Sequence, residues 1–169
     1  MAGFAMGAGR HADIFLKFDG IQGESTDSKH KDEIQLLTFR FGATQPGSAG
    51  IGGGAGVGRA HMENFEVSKY VDKSSPKLFQ ACAAGTHTAN AQLVCRKAGG
   101  TQQEYLKIFL KDVIISSIRT ASMGGEHLPT ETIELNYSYI KIDYAGQDAK
   151  GNLTGAVSGG WDVLKNEKV

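Results

Sequence analysis

The sequence predicts a mainly β protein, a β-barrel or a two-sheet barrel-like sandwich with one short flanking α-helix, and three observations carry that prediction. Apolar residues recur with period two through most of the chain. The 23 glycines against 3 prolines, in no three-residue period, mark tight turns and flexible loops and exclude collagen. A helical period occurs in one stretch, between Ser75 and Gly85. At 169 residues the chain has room for one domain with a real core and too little for two. Residues 1–12 read as a flexible, small-residue N-terminal tail, and residues 13–169 as a single domain.

The first strand runs from Asp13 to Asp19, with Ile14, Leu16 and Phe18 alternating against Asp13, Phe15 and Lys17. Residues 20–33 offer little to bury and read as a long exposed loop, a length that in a compact domain is often functional. The next strand spans Ile34 to Phe41. Leu37, Phe39 and Phe41 share one phase, while Ile34 and Leu36 sit in the other, as at a bulge. From Gly42 to Gly58 glycines leave almost no side chain to order, so a flexible loop follows. Its stretch Gly50 to Ala55 fits a dinucleotide fingerprint, but it does not emerge from a strand, and Ala60 to Val71 reads as a strand where a helix is required.

Ser75 suits a helix N-cap, Pro76 the first helical position and Gly85 the C′ position, with Leu78, Phe79 and Cys82 as an apolar stripe. So short a helix needs a sheet to lie against. Ala89 to Lys97 points Ala91, Leu93 and Cys95 inward and turns at Ala98 to Gly100. Two long segments follow, joined by a glycine-rich connection. In Glu104 to Thr120 a helical spacing competes, but Val113, Ile114, Ile115 and Ile118 are β-branched and favour a pleat. The row Val113 to Ile115 calls for cover on both faces, one side from the core and the other from a neighbouring copy. From Thr130, Ile133, Leu135, Tyr137 and Tyr139 share a face. The phase then slips at Tyr139-Ile140, so that Ile140, Ile142 and Tyr144 alternate with Lys141 and Asp143. After a turn at 145–151, Leu153, Val157, Trp161 and Val163 keep a period of two.

Several function classes are excluded. Eighteen acidic and eighteen basic side chains cancel, which removes the electrostatic case for nucleic acid or an anionic membrane. Nothing approaches the ~20 apolar residues of a membrane span, and the start lacks the charged region of a secretory signal. Cys82 and Cys95 read as reduced core thiols of a protein made in a cytosol. The histidines at 11, 30, 61, 87 and 127 lack the spacing of a compact metal site. No nucleophile elbow and no carboxylate pair in an apolar setting is present, so neither catalytic residues, cofactor nor metal are expected. The sequons at Asn136 and Asn152 are chance matches. A small-molecule- or protein-binding barrel without assembly is the alternative. Large inward side chains such as Leu16, Phe18, Phe39 and Trp161 would fill its cavity.

Several blocks, in order, carry a resemblance: Asp13 to Ser25, Gln45 to Ser48, Val71 to Leu78, Arg96 to Gly99 and Gln103 to Leu106. Together they resemble the haemolysin-coregulated protein family, the tube proteins of bacterial type VI secretion systems, from Asp13 to about Lys165. The tail at 1–11 is longer than the family pattern, and the glycine loop has its own composition. The resemblance implies a barrel with one flanking helix that closes into hexameric rings, which stack into a hollow tube. It further implies assembly in the cytoplasm inside a contractile sheath, a spike protein at the tip, and effector proteins carried in the lumen. Export would proceed without a signal peptide, with no membrane insertion. Loop 20–33 is then the candidate for ring-to-ring contact, through Gln22, Glu24, Asp27, Lys29 and His30.

Overall fold

A computed structural model of the chain describes residues 12–46, 59–97, 102–125, 127–148 and 152–169. Its strands are β1 (Ala12–Phe18), β2 (Ile34–Leu36), β3 (Thr38–Arg40), β4 (Ala43–Thr44), β5 (His61–Met62) and β6 (Phe65–Tyr70). After the helix α1 (Ser75–Ala84) come β7 (His87–Lys97), β8 (Glu104–Ala121), β9 (Thr130–Asn136), β10 (Tyr139–Gln147), β11 (Leu153–Asp162) and β12 (Glu167–Lys168). The expected tail at 1–11, the glycine tip at 47–58 and the turn at 98–100 lie outside the described residues. β4 and β5 pair with each other at the base of that tip.

Two sheets share the long strand β8. The first is ordered β12-β11-β10-β8-β7-β1-β2, and the second continues β3-β6-β9-β8. β10 pairs with residues 106–111 of β8, whereas β9 pairs from Ile114 onward. Between them Asp112 adopts φ 50°, a left-handed conformation that asparagine and aspartate tolerate better than most. One residue is thereby inserted into the alternation: Ile108 and Leu110 face the core before it, Val113 and Ile115 after it. Within the single chain Val113 and Ile115 are buried and Ile114 is half-buried, so the chain's own core covers one face of this row.

Both phase slips seen in the sequence are corners of the same kind. The slip read at Tyr139-Ile140 lies slightly earlier, between the buried Tyr137 and Ile140, where β9, in the second sheet, gives way to β10, in the first. There Ser138 N–H donates to Lys111 C=O at 3.1 Å, opposite the Asp112 bend. The slip in the second strand separates β2 from β3 at Leu37, whose N–H donates to Ser68 C=O at 2.8 Å. A strand that changes sheets must also change which of its faces is buried, and an odd residue at the corner accomplishes it.

The core lies between the sheets and is built from Phe65, Val67, Ile108 and Val113, all at 0% exposure, with Leu16, Leu93, Ile133 and Leu135 at 2% or less. Each such side chain contributes about 1.5–3 kcal/mol relative to exposure. Leu78 brings α1 onto it. Two expectations for the helix are corrected. Ser74 occupies the cap and Ser75 lies within the helix, because the Ser75 hydroxyl is drawn into bonds with Glu131 and Lys69. Phe79 points to solvent at 64% exposure, since only one side of α1 meets β8. Gly85 closes the helix at φ 62° as expected.

Candidate functional site

Loop 20–33 is folded down where the sequence predicts an exposed segment. It lies on the outer face of β1 and β7, and Ser25 and His30 are buried at 7% and 5%. Its two arms are stitched by Gly23 N–H to Asp32 C=O at 2.8 Å and Ser25 N–H to Glu33 C=O at 3.1 Å. Gly23 is obligatory at that crossing, because a Cβ there would overlap the Glu33 carbonyl. Asp27 Oδ1 accepts from the N–H groups of Lys29 and His30 and turns the tip. Beneath the loop Phe15, 3% exposed, stacks on the His30 ring at 4.4 Å and lies under the Arg96 guanidinium at 5.1 Å. This explains why an aromatic residue occupies the outward phase of β1.

Charge completes the attachment. Arg96 Nη2 donates to Asp27 at 2.7 Å and to Asp13 at 3.0 Å. The bond from Arg96 and those from the loop amides hold the Asp27 carboxyl at about 2, against the opposing pull of desolvation. Arg96 is raised in turn, first by its bond to Asp27. His30 Nδ1 lies 2.9 Å from Glu33, and its Nε2 lies 3.2 Å from Glu104 but out of line for a hydrogen bond. Burial alone would raise Glu104, yet the Lys107 ammonium, with His30 behind it, brings it below the ordinary carboxylate value.

The five residues expected at a contact surface therefore divide. Gln22, Glu24 and Lys29 are exposed, whereas Asp27 is half-buried and His30 buried, and these two organise the loop from within. The partners that hold it, Phe15, Glu33, Arg96 and Glu104, were not singled out from sequence. The available signal was Phe15 standing in the outward phase.

A second surface lies where the first sheet extends past the second. Across β8, β10 and β11 the core-facing rows run outward: Leu110, Ile140 and Trp161, then Ile108, Ile142 and Gly159, then Leu106, Tyr144 and Val157. The first row belongs to the core, while in the last Tyr144 is 51% and Val157 73% exposed, with Leu153 at 39% nearby. The outer face of the second sheet is its opposite, a polar wall closed by Arg40–Glu66 at 3.1 Å, Arg119–Glu134 at 2.8 Å and Thr38–Ser68 at 2.6 Å.

Among the described residues no group of three histidine, cysteine or acidic side chains is placed to hold a metal. Burial pushes the Cys95 thiol up to about 11, against a thiolate nucleophile. Among these residues no helix is long and apolar enough to cross a membrane.

The sequence profile of the family described as "Type VI secretion system effector, Hcp" matches residues 15–144. The chain belongs to the Hcp family. Protein Hcp1 of Pseudomonas aeruginosa is 42% identical over 156 residues, which span 91% of this chain and 96% of that one. Among solved structures, a type six secretion system protein superposes with a TM-score of 0.88 at 30% identity, over 94% of this chain and 100% of the other. Hcp1 from Salmonella typhimurium gives 0.74 at 37% identity, over 94% and 99%. As an Hcp protein the chain is a β-rich structural tube protein of type VI secretion, and the Hcp fold accounts for the mixed sandwich with its single helix.

Proposed function

We propose that residues 13–169 form one subunit of the type VI inner tube, closing into hexameric rings that stack into a hollow tube and carry effector proteins in the lumen. The observation that carries this reading is the apolar row at Leu106, Tyr144 and Val157, which continues the core face beyond the cover of the second sheet. An apolar face of this kind on a sheet extension is a surface for another subunit. A neighbour around the ring covers it and also shields the strand edge at β12. The spike at the tip, the surrounding sheath, assembly in the cytoplasm and export through the type VI apparatus follow from the same reading.

Ring-to-ring contact is assigned to loop 20–33, with Gln22, Glu24 and Lys29 touching the next ring and Asp27 and His30 holding the loop in shape. Exposed polar contacts contribute ~0–1 kcal/mol each, so stacking is weak and salt-sensitive while ring closure is not. Electron microscopy and sedimentation of the purified chain test the proposal. Val157→Glu is expected to convert rings to single chains while changing subunit stability by less than ~0.5 kcal/mol, since the site is exposed. Joint alanine replacement of Gln22, Glu24 and Lys29 is expected to leave rings and reduce stacks. A wild-type chain that sediments as a monomer at every concentration would end the reading.

A further inference from the structure

A cleft of about 770 Å³ opens between loop 20–33 and the start of α1. Lys17, Lys29, Lys31, Lys73 and Lys77 line it. Lys73 lies 3.5 Å from Asp32, but Lys17, Lys29, Lys31 and Lys77 have no side-chain partner among the described residues. Elsewhere among those residues every other lysine and arginine except Lys168 is tied to a carboxylate, an aromatic ring or a carbonyl. Lys111 sits over Tyr139 and Lys97 over Tyr105. Arg59 donates to Val163 C=O, and Lys69, Lys107, Lys141, Lys165, Arg40, Arg96 and Arg119 are ion-paired. In a chain of zero net charge, four of the five uncommitted cations among the described residues line one cleft.

Three carboxylates line the cleft against five lysines and do not neutralise it. Glu33 is turned under the loop to His30, Asp32 is taken by Lys73, and Asp19 accepts from Asn90. The first turn of α1 contains no acidic residue, so its amide end adds potential of the same sign. The lysines also stand on a prepared frame. Lys29 and Lys31 flank His30, which is locked onto Phe15, and a preorganised site loses little ordering entropy on binding.

We propose that this cleft docks an acidic segment of a different protein. In the stacking reading the next ring touches Gln22, Glu24 and Lys29 on the loop, but a second copy of this chain brings no acidic run to fill the cleft. Among the described residues Asp19 lines the cleft itself, Glu24 accepts from the Lys73 amide, Asp148 is engaged by Asn152, and Glu63 lies between Met62 and Asn64. They form no acidic run. Complementary charge therefore has to come from outside, and a run of glutamates or aspartates supplies it.

The test is fluorescence anisotropy of a labelled oligo-glutamate peptide titrated with the full chain at low ionic strength. Saturable binding that weakens with added salt is expected. The joint variant Lys17→Glu, Lys31→Glu, Lys77→Glu, which spares the Lys29 assigned to ring contact, should weaken it by about tenfold or more, and Lys168→Glu should leave it within about twofold. If the reversal variant fails to fold by near-ultraviolet circular dichroism, the corresponding Lys→Gln triple takes its place with a smaller expected loss. The proposal is overturned by no binding, by binding that the cleft variants do not change, or by an oligothymidylate of equal charge binding the cleft as tightly. Ring formation is scored separately by electron microscopy, so loss of peptide binding with intact rings, and loss of rings with intact binding, count against different conclusions.

Discussion

Under α1, Lys69 is enclosed completely. At 0% exposure its ammonium reaches Asp72 and Tyr70 C=O at 2.8 Å, Glu131 at 2.9 Å and Ser75 Oγ at 3.0 Å. Glu131 is itself bonded by Ser75 and Thr120. Under loop 20–33, Arg96 is nearly as deep at 2%, yet its Nε and Nη1 lack protein partners, and its carboxylates at Asp13 and Asp27 reach towards water. One cluster ties β6, β9 and α1 into the sandwich with no buried side-chain polar atom left without a partner. The other pins a loop and is incomplete. A saturated buried ion pair is costly to break, because removing one member strands the rest in low dielectric, whereas an open one lets water replace what is lost.

The sharpest way to break the comparison is to remove each cation in turn. Lys69→Met leaves Glu131 and Asp72 facing each other without a counter-charge and is expected to lower unfolding free energy by about 3–5 kcal/mol, measured by denaturant titration. Adding Glu131→Gln should recover part of that loss. Arg96→Met should cost less, about 1–3 kcal/mol, since Asp27 and Asp13 can hydrate. Its signature should be local, with hydrogen exchange rising in residues 20–33 and unchanged in β6 and β9. Equal costs for the two variants would remove the distinction.

Much of the sandwich was legible in the sequence because strands announce themselves locally. Leu16 and Phe18, or Ala91, Leu93 and Cys95, alternate within a few residues and are buried as read, with Ile14 half-buried at the start of its strand. Even the corners left a trace, as phase slips near Leu37 and Tyr139. Asp112 left none, because its left-handed backbone is imposed where β10 gives way to β9 along one edge of β8 and not by its neighbours in sequence. The folded-down loop was illegible for a related reason. Residues 20–33 are polar, and polar residues read as solvated unless their partners are known. Arg96 lies 69 positions beyond Asp27, and only the β1–β7 register, with Phe15 opposite Val94 and Asp13 opposite Arg96, brings them together. Composition likewise gave no sign that Tyr144 and Val157 would stand outside the core, since they share the alternation of Ile140 and Ile142.

The smallest effect is also the most specific to the Arg96 cluster. Asp27 titrates at about 2 in the folded chain, below the ordinary carboxylate value of 3.8, because Arg96 and the loop amides favour its charged form. A lowered folded-state value means that the unfolded chain takes up the proton first as pH falls. The contribution is therefore complete above the unfolded value and is lost as acid carries the protein through the folded one. Stability should be insensitive to this group at neutral pH and decline between about pH 4 and 2. Asp27→Asn keeps an oxygen for the Lys29 and His30 amides but removes the charge, so it should cost about 1 kcal/mol at neutral pH and flatten that acid limb. Lys69→Met should leave the Asp27 part of the limb in place. If Asp27→Asn and wild type lose stability in parallel as the pH falls, the loop is held by its backbone ladder and the Phe15–His30 stack, and Arg96 serves only to neutralise what lies beneath it.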